Sequence, residues 1–489
     1  MPKLNAKQRN NWLYGLGFLF ALANGACIAM EFYYFALLPL VMLVLWAAFM
    51  RLDLLLLFVV FSTPLSLNLE ELDLGQLNIG FYLPTEPLLF GILLLFIFKL
   101  LYRQSIDTRI FKHPVSLAIY GYLFWIFLTS ITSTMPMVSF KFLLSKLWFI
   151  AAFYFLAVHI FQNPAHIRKY FVLYLIPLSG VIIYTVIHHS QFGFDKDAGH
   201  WVMSPFFKDH TSYGAVLAMF LPPAIGLCFI KKFTPLLRFF LLLAVIILVV
   251  GTILSYTRAA WVSLVAVAVV YALMVLRVRL NLILVVTFAA GFLIWNYQEQ
   301  LLIELKRNSS ESSDELSEHV ESISNVSSDN SNLERLNRWD AAISMFEEKP
   351  IFGFGPGTYQ FKYAPYQKSE NLTWISTNNA DGGNAHSEYL GPLAETGFMG
   401  TITVLILCYV VLHLGFRLYF TVRNQKWRIV VISTFLGWVT YIIHGTLNNY
   451  LDTDKASVPF WGFIAVLVAI DLYHKNEDEN GPALENPTA

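Results

Sequence analysis

Apolar residues along this chain come in blocks about 20 residues long, the length a helix needs to cross a bilayer core. The blocks fall near 12–30, 32–50, 52–67, 82–101, 115–133, 140–161, 170–189, 212–230, 237–255, 259–276, 280–297, 397–416, 429–447 and 457–473. Arg51 alone separates 32–50 from 52–67, so these two also read as one broken or re-entrant element. The pattern predicts an all-α polytopic membrane protein with 12–14 transmembrane helices and one large, partly helical loop. Residues 1–297 form the first helical region, 298–396 the loop, 397–475 the last spans, and 476–489 a disordered tail.

The loop changes character along its length. Its 308–334 tract holds ten serines and seven acidic residues and predicts a flexible segment. From Arg335 to Lys349 a helix is predicted, with Leu336, Trp339, Ile343 and Phe346 forming an apolar stripe. Pro350 and the run Gly353–Gly357 end it in a turn. Asn384 is placed to cap a short helix beginning at Ala385, and Pro392 should kink the helix that follows.

Composition sharpens the picture. Charged residues make up 13% of the chain and hydrophobic residues 56%, with mean hydropathy +0.57. A soluble protein would carry about 25% charge. Net charge is zero, which gives no reason to expect a nucleic-acid partner. Cys27, Cys228 and Cys408 each lie inside an apolar block, so no disulfide framework is expected. The first block lacks a small-residue cleavage site and reads as a span. With a cytoplasmic N-terminus, 20 of the 33 basic residues fall on the cytoplasmic side. Both termini are then inside, and the 298–396 loop is outside.

Few polar residues stand out as candidates for chemistry. Arg258 opens a span on the outer face and is either a snorkelling interfacial arginine or an anion site suited to phosphate. Arg335 and Arg338, three residues apart on the loop helix, face one anion together, belong to a solvated face, or pair with the acidic tract. His386, with Glu388 and Glu395 close in sequence, is the best acid–base candidate; a helix N-terminus would keep it neutral. His159, His188, His413 and His444 read as packing or interfacial residues. The 190–211 loop carries Asp195, Asp197, His200, Lys208, Asp209 and His210, whose spacing matches no metal site. Glu86 reads equally as an interfacial carboxylate and as part of a polar cavity.

Four motifs in order carry a family resemblance. They are Thr257-Arg258-Ala259-Ala260-Trp261, Arg338-Trp339-Asp340-Ala341-Ala342, the run from Lys349 to Gly357, and Ala385-His386-Ser387-Glu388-Tyr389-Leu390 with Glu395–Gly400 after it. Together they resemble the O-antigen ligase/polymerase superfamily. Phe207–Gly214, containing His210, looks like a weaker element of the same family. Threonine before Arg258 and serine after His386 depart from the common pattern.

The resemblance implies a GT-C-like glycosyltransferase of the bacterial inner membrane that uses neither metal nor cofactor. Its donor would be a glycan on undecaprenyl diphosphate, and its acceptor lipid A–core or a growing glycan. Arg258 and Arg338 would bind the diphosphate and His386 would activate the acceptor hydroxyl, with Arg335, Glu388, Glu395 and His210 in support. Ligation is favoured over polymerisation because one outer loop dominates. A transporter or glycan-lipid flippase is the reading from another class, and no two-fold internal repeat supports it.

Overall fold

A computed structural model describes residues 6–39, 42, 50–69, 82–102, 106–230, 233–296, 330–368, 372, 376 and 383–477. The chain divides into two compact units, Met1–Leu56 and Leu57–Ala489. The first holds the Ala6–Ala29 helix and a 3₁₀ turn at Tyr33–Leu37, where Phe20 and Phe35 stack 5.7 Å apart.

Among the described residues, nine helices are long and apolar enough to cross a membrane, which bears out the all-α polytopic reading. They are Pro114–Ile131, Pro136–Ile160, Pro164–Ser190, His210–Cys228, Pro235–Leu254, Arg258–Val275, Leu390–Thr421, Gln425–His444 and Asp454–His474. Three shorter apolar helices join them: Gly17–Ala29, Leu52–Leu65 and Leu280–Leu293. The 52–67 block therefore ends short of a full span, and Leu67–Asn68 pairs antiparallel with Tyr82–Leu83. Residues 40, 41 and 43–49 of the 32–50 block and residues 308–329 of the acidic tract lie outside the described residues.

Side-chain caps set the starts of several helices. Asn163 accepts from the Ala165 N–H, Asp209 from Ser212 and Asn424 from Lys426. Proline stands in the first turn of Pro164–Ser190 and Pro235–Leu254, where its missing N–H costs nothing. Asp454–His474 is central, with 89% of its apolar window buried, whereas Arg258–Val275, at 22%, leaves most of its surface to lipid. His210–Cys228 lies against Gln425–His444 almost backbone to backbone. A Cβ at Gly226 would sit 2.3 Å from Ser433, and one at Gly437 would sit 2.4 Å from the Met219 carbonyl.

The loop segment has a core of its own. The Asn330–Glu348 helix packs Ala341, Ala342 and Met345 against Phe354, Tyr359, Tyr363, Ala385 and Ala394. This corrects the expected apolar stripe: Leu336, Trp339, Ile343 and Phe346 are only half-buried, while Glu334, Asn337 and Arg338 are buried. Small alanines let the helix approach closely, so the face they occupy is the one that packs.

Two glycine turns interlock beneath this core. The Phe354 and Gly355 N–H groups donate to the Ala394 and Glu395 carbonyls, and Phe398 N–H donates to the Pro350 carbonyl. Gly397 has φ +69 and ψ −173, and a Cβ there would lie 2.2 Å from the Ile351 carbonyl. That conformation belongs almost solely to glycine. Gly397 is thus where the Leu390–Thr421 helix kinks. Pro392, expected to make the kink, sits in the first turn, where proline is tolerated.

Candidate active site

A cavity of about 730 Å³ opens among the loop segment and the ends of the surrounding helices. His386, Glu388, Asp209, Lys146, Tyr441 and Tyr450 are among its lining residues. Glu86 lines it too and is buried, which places that carboxylate in a polar cavity.

His386 does not stand at a helix N-terminus, as the sequence suggested. The helix begins at Leu390, and Asn384 Oδ1 instead accepts from the N–H of His386 itself. His386 adopts φ +49, a left-handed conformation that histidine tolerates better than most residues. Ser387 Oγ accepts from the Tyr389 and Leu390 N–H groups and steadies the turn. Burial, followed by the positive charges of Arg335 and Arg338, holds the imidazole pKa down to about 4. The ring is therefore neutral at ordinary pH and able to accept a proton. Neutrality was expected; its cause is burial and arginine charge rather than a helix dipole.

Two of the candidate arginines, Arg335 and Arg338, place their charge at this histidine. Arg338 is buried, donates from Nε to Glu334 Oε1 at 2.6 Å, and stacks its guanidinium 3.9 Å from the Tyr363 ring centroid. Its Nη1 has no hydrogen-bond partner among the described residues. Gly383 approaches it so closely that a Cβ would lie 2.0 Å from Nη1. Pairing with the acidic tract, the ordinary alternative for Arg338, is thus realised through Glu334, the last residue of that tract. Arg335 acts electrostatically on both His386 and His210, and Arg258 on His210. His210 stacks on His200 at 4.3 Å, and its carbonyl accepts from Thr257 Oγ1 at 2.7 Å. All five candidate histidine and arginine positions therefore share one neighbourhood.

The two glutamates act as clamps. Glu388 Oε1 accepts from Tyr441 Oη at 2.6 Å and from the N–H groups of Tyr450 and Leu451 at 2.8 and 3.0 Å. Its own N–H donates to the Gly445 carbonyl. Glu395 Oε1 accepts from the Tyr359 N–H and holds the glycine turn. Lys146 crosses to Asp452 at 2.7 Å and to the Leu451 carbonyl at 2.8 Å.

Sequence reasoning missed Glu334, Asp209 and Tyr450 as parts of this site. Asp209 accepts from Thr211 Oγ1 at 2.6 Å and caps its helix, Tyr450 bonds Thr211, and Asp209 adds its charge at His386. Asp209 alone left a trace in the sequence, as a polar residue of the 190–211 loop and of the Phe207–Gly214 element. Among the described residues, no group of three His, Cys, Asp or Glu side chains is placed to hold a metal ion.

Residues 243–405 match the family model described as O-antigen ligase. That segment contains Arg258, the loop helix, both glycine turns and His386. A curated relative, an uncharacterized protein of Haemophilus influenzae, is 22% identical over 304 residues, covering 60% of this chain and 71% of its own length.

Proposed function

We propose that this chain, whose residues 243–405 match the O-antigen ligase family, is a membrane glycosyltransferase that moves a glycan from undecaprenyl diphosphate to an acceptor hydroxyl on lipid A–core. The observation supporting this reading is a neutral His386 on a polar cavity, with Arg335 and Arg338 close enough to lower its pKa.

In this proposal the acceptor oxygen attacks the anomeric carbon of the donor while its proton passes to the His386 imidazole. The bond from the anomeric carbon to the diphosphate oxygen breaks, and the diphosphate leaves with the electron pair. Fixed guanidinium groups stabilise the charge it gains. Arg338 Nη1 offers a preoriented donor, held by Glu334 and Tyr363. Arg258 supplies a second fork from its span end. Base catalysis of this kind contributes about 10²–10⁴-fold.

The test uses purified full-length protein in nanodiscs, with a synthetic undecaprenyl-diphosphate glycan as donor. His386→Ala should keep donor affinity and slow transfer by about 10²–10⁴-fold. Arg258→Lys and Arg338→Lys should weaken donor binding, because lysine keeps the charge without the bidentate geometry. Wild-type turnover in His386→Ala would end its catalytic role. In cells lacking the protein, full-length glycan on the carrier supports ligation, and single capped repeats would make the enzyme a polymerase.

A further inference from the structure

The Arg258–Val275 and Leu390–Thr421 helices both start beside the candidate site. Eighteen residues of helix carry the first about 27 Å away from it. At their far ends lies a second groove of about 610 Å³. Arg277 and Arg279, in the turn after Val275, line it with His413 and Arg417 of the kinked helix. No Asp or Glu is among its lining residues. Arg277 closes its helix at φ +58, its N–H donating to the Met274 carbonyl. Arg417 is held from behind, Nη2 donating to Asp471 Oδ2 at 2.6 Å. Phe420 and Leu280 add apolar wall, and Phe420 is 49% exposed.

We propose that this groove binds the phosphate headgroup of an anionic phospholipid in the leaflet opposite His386. Arginine forks match phosphate oxygens, and basic pockets between helix ends at this membrane face suit such headgroups. A lipid fits better than a soluble anion because Phe420 and Leu280 offer the acyl chains an apolar surface beside the charges. The inference is independent of the glycan chemistry.

The test counts phosphatidylglycerol retained by the full-length protein in native mass spectrometry, after titration in phosphatidylcholine nanodiscs. Arg277→Gln with Arg279→Gln should weaken retention about fivefold per arginine. Arg423→Gln with Arg428→Gln, on the same face outside the groove, should leave it unchanged, and inorganic phosphate should not compete. Equal loss in both pairs would reduce the effect to general surface attraction and overturn the site. Displacement by inorganic phosphate would overturn the lipid assignment. Should the glutamine pair fail to accumulate, Arg277→Lys with Arg279→Lys takes its place. That pair should bind with reduced affinity, and wild-type affinity there would also overturn the proposal.

Discussion

As the proposed base His386 is unusual, because a pKa near 4 leaves it neutral but weakly basic before a donor binds. Its second and third causes of depression, Arg335 and Arg338, are the groups a diphosphate would offset. Donor binding should therefore raise the imidazole pKa and strengthen the base when the acceptor arrives. The acid limb of kcat/KM should then fall near pH 4 in the wild type, and that of kcat at higher pH. Arg335→Gln should move the kcat/KM limb upward toward the ordinary histidine value of about 6.5. Coincident limbs in both proteins, from pH profiles of turnover, would contradict this. Glu388→Ala should cost about 1–3 kcal/mol by orphaning buried N–H groups, read as a fall in thermal midpoint in detergent. Glu388→Gln, which keeps an acceptor oxygen, should cost less. At this scale His386, Arg258 and Arg338 were legible because they sit in motifs. Tyr450 was not, and Asp209 was readable only within the weaker Phe207–Gly214 element, since only the fold brings 209, 386 and 450 together.

Helix length and type were readable from apolar periodicity, but the packed face of the loop helix was not. Size decided it: Ala341 and Ala342 admit close approach, and the bulkier Trp339 and Phe346 stay half-buried. The kink was misplaced for a similar reason, because proline near a helix start is harmless and Gly397 carries the non-helical φ. Gly397→Ala should force a Cβ onto the Ile351 carbonyl and separate the interlocked turns. It should cost more than the 1–3 kcal/mol of backbone strain alone and abolish transfer while insertion continues. Met345→Ala should cost about 2–5 kcal/mol by emptying the loop core. Protease sensitivity of the 330–396 segment, measured in intact vesicles, checks both.

Across the molecule, the basic residues predict which side each connection occupies. A reporter fused near Asp329 should be active outside the cytoplasm, and fusions at Arg109 and Lys426 should report inside. An inside signal at Asp329 would separate the loop from any extracytoplasmic substrate. Shortening 308–329 should spare activity, whereas a deletion reaching Glu334 should not, because that residue holds Arg338. Span number was legible where blocks were long and uninterrupted. It was not where Leu52–Ser62 passes into a 3₁₀ turn and a strand.

The hydrogen bonds of Glu388 have a practical corollary for redesign. Because one carboxylate oxygen holds Tyr441, Tyr450 and Leu451 while the same residue's N–H holds Gly445, the histidine turn and the 445–451 connection are tied into a single cassette. A chimera that imports only the 445–451 connection from a relative would inherit a mismatched seat for Glu388. One that imports 384–390 along with it would carry the proposed proton acceptor and its support in register.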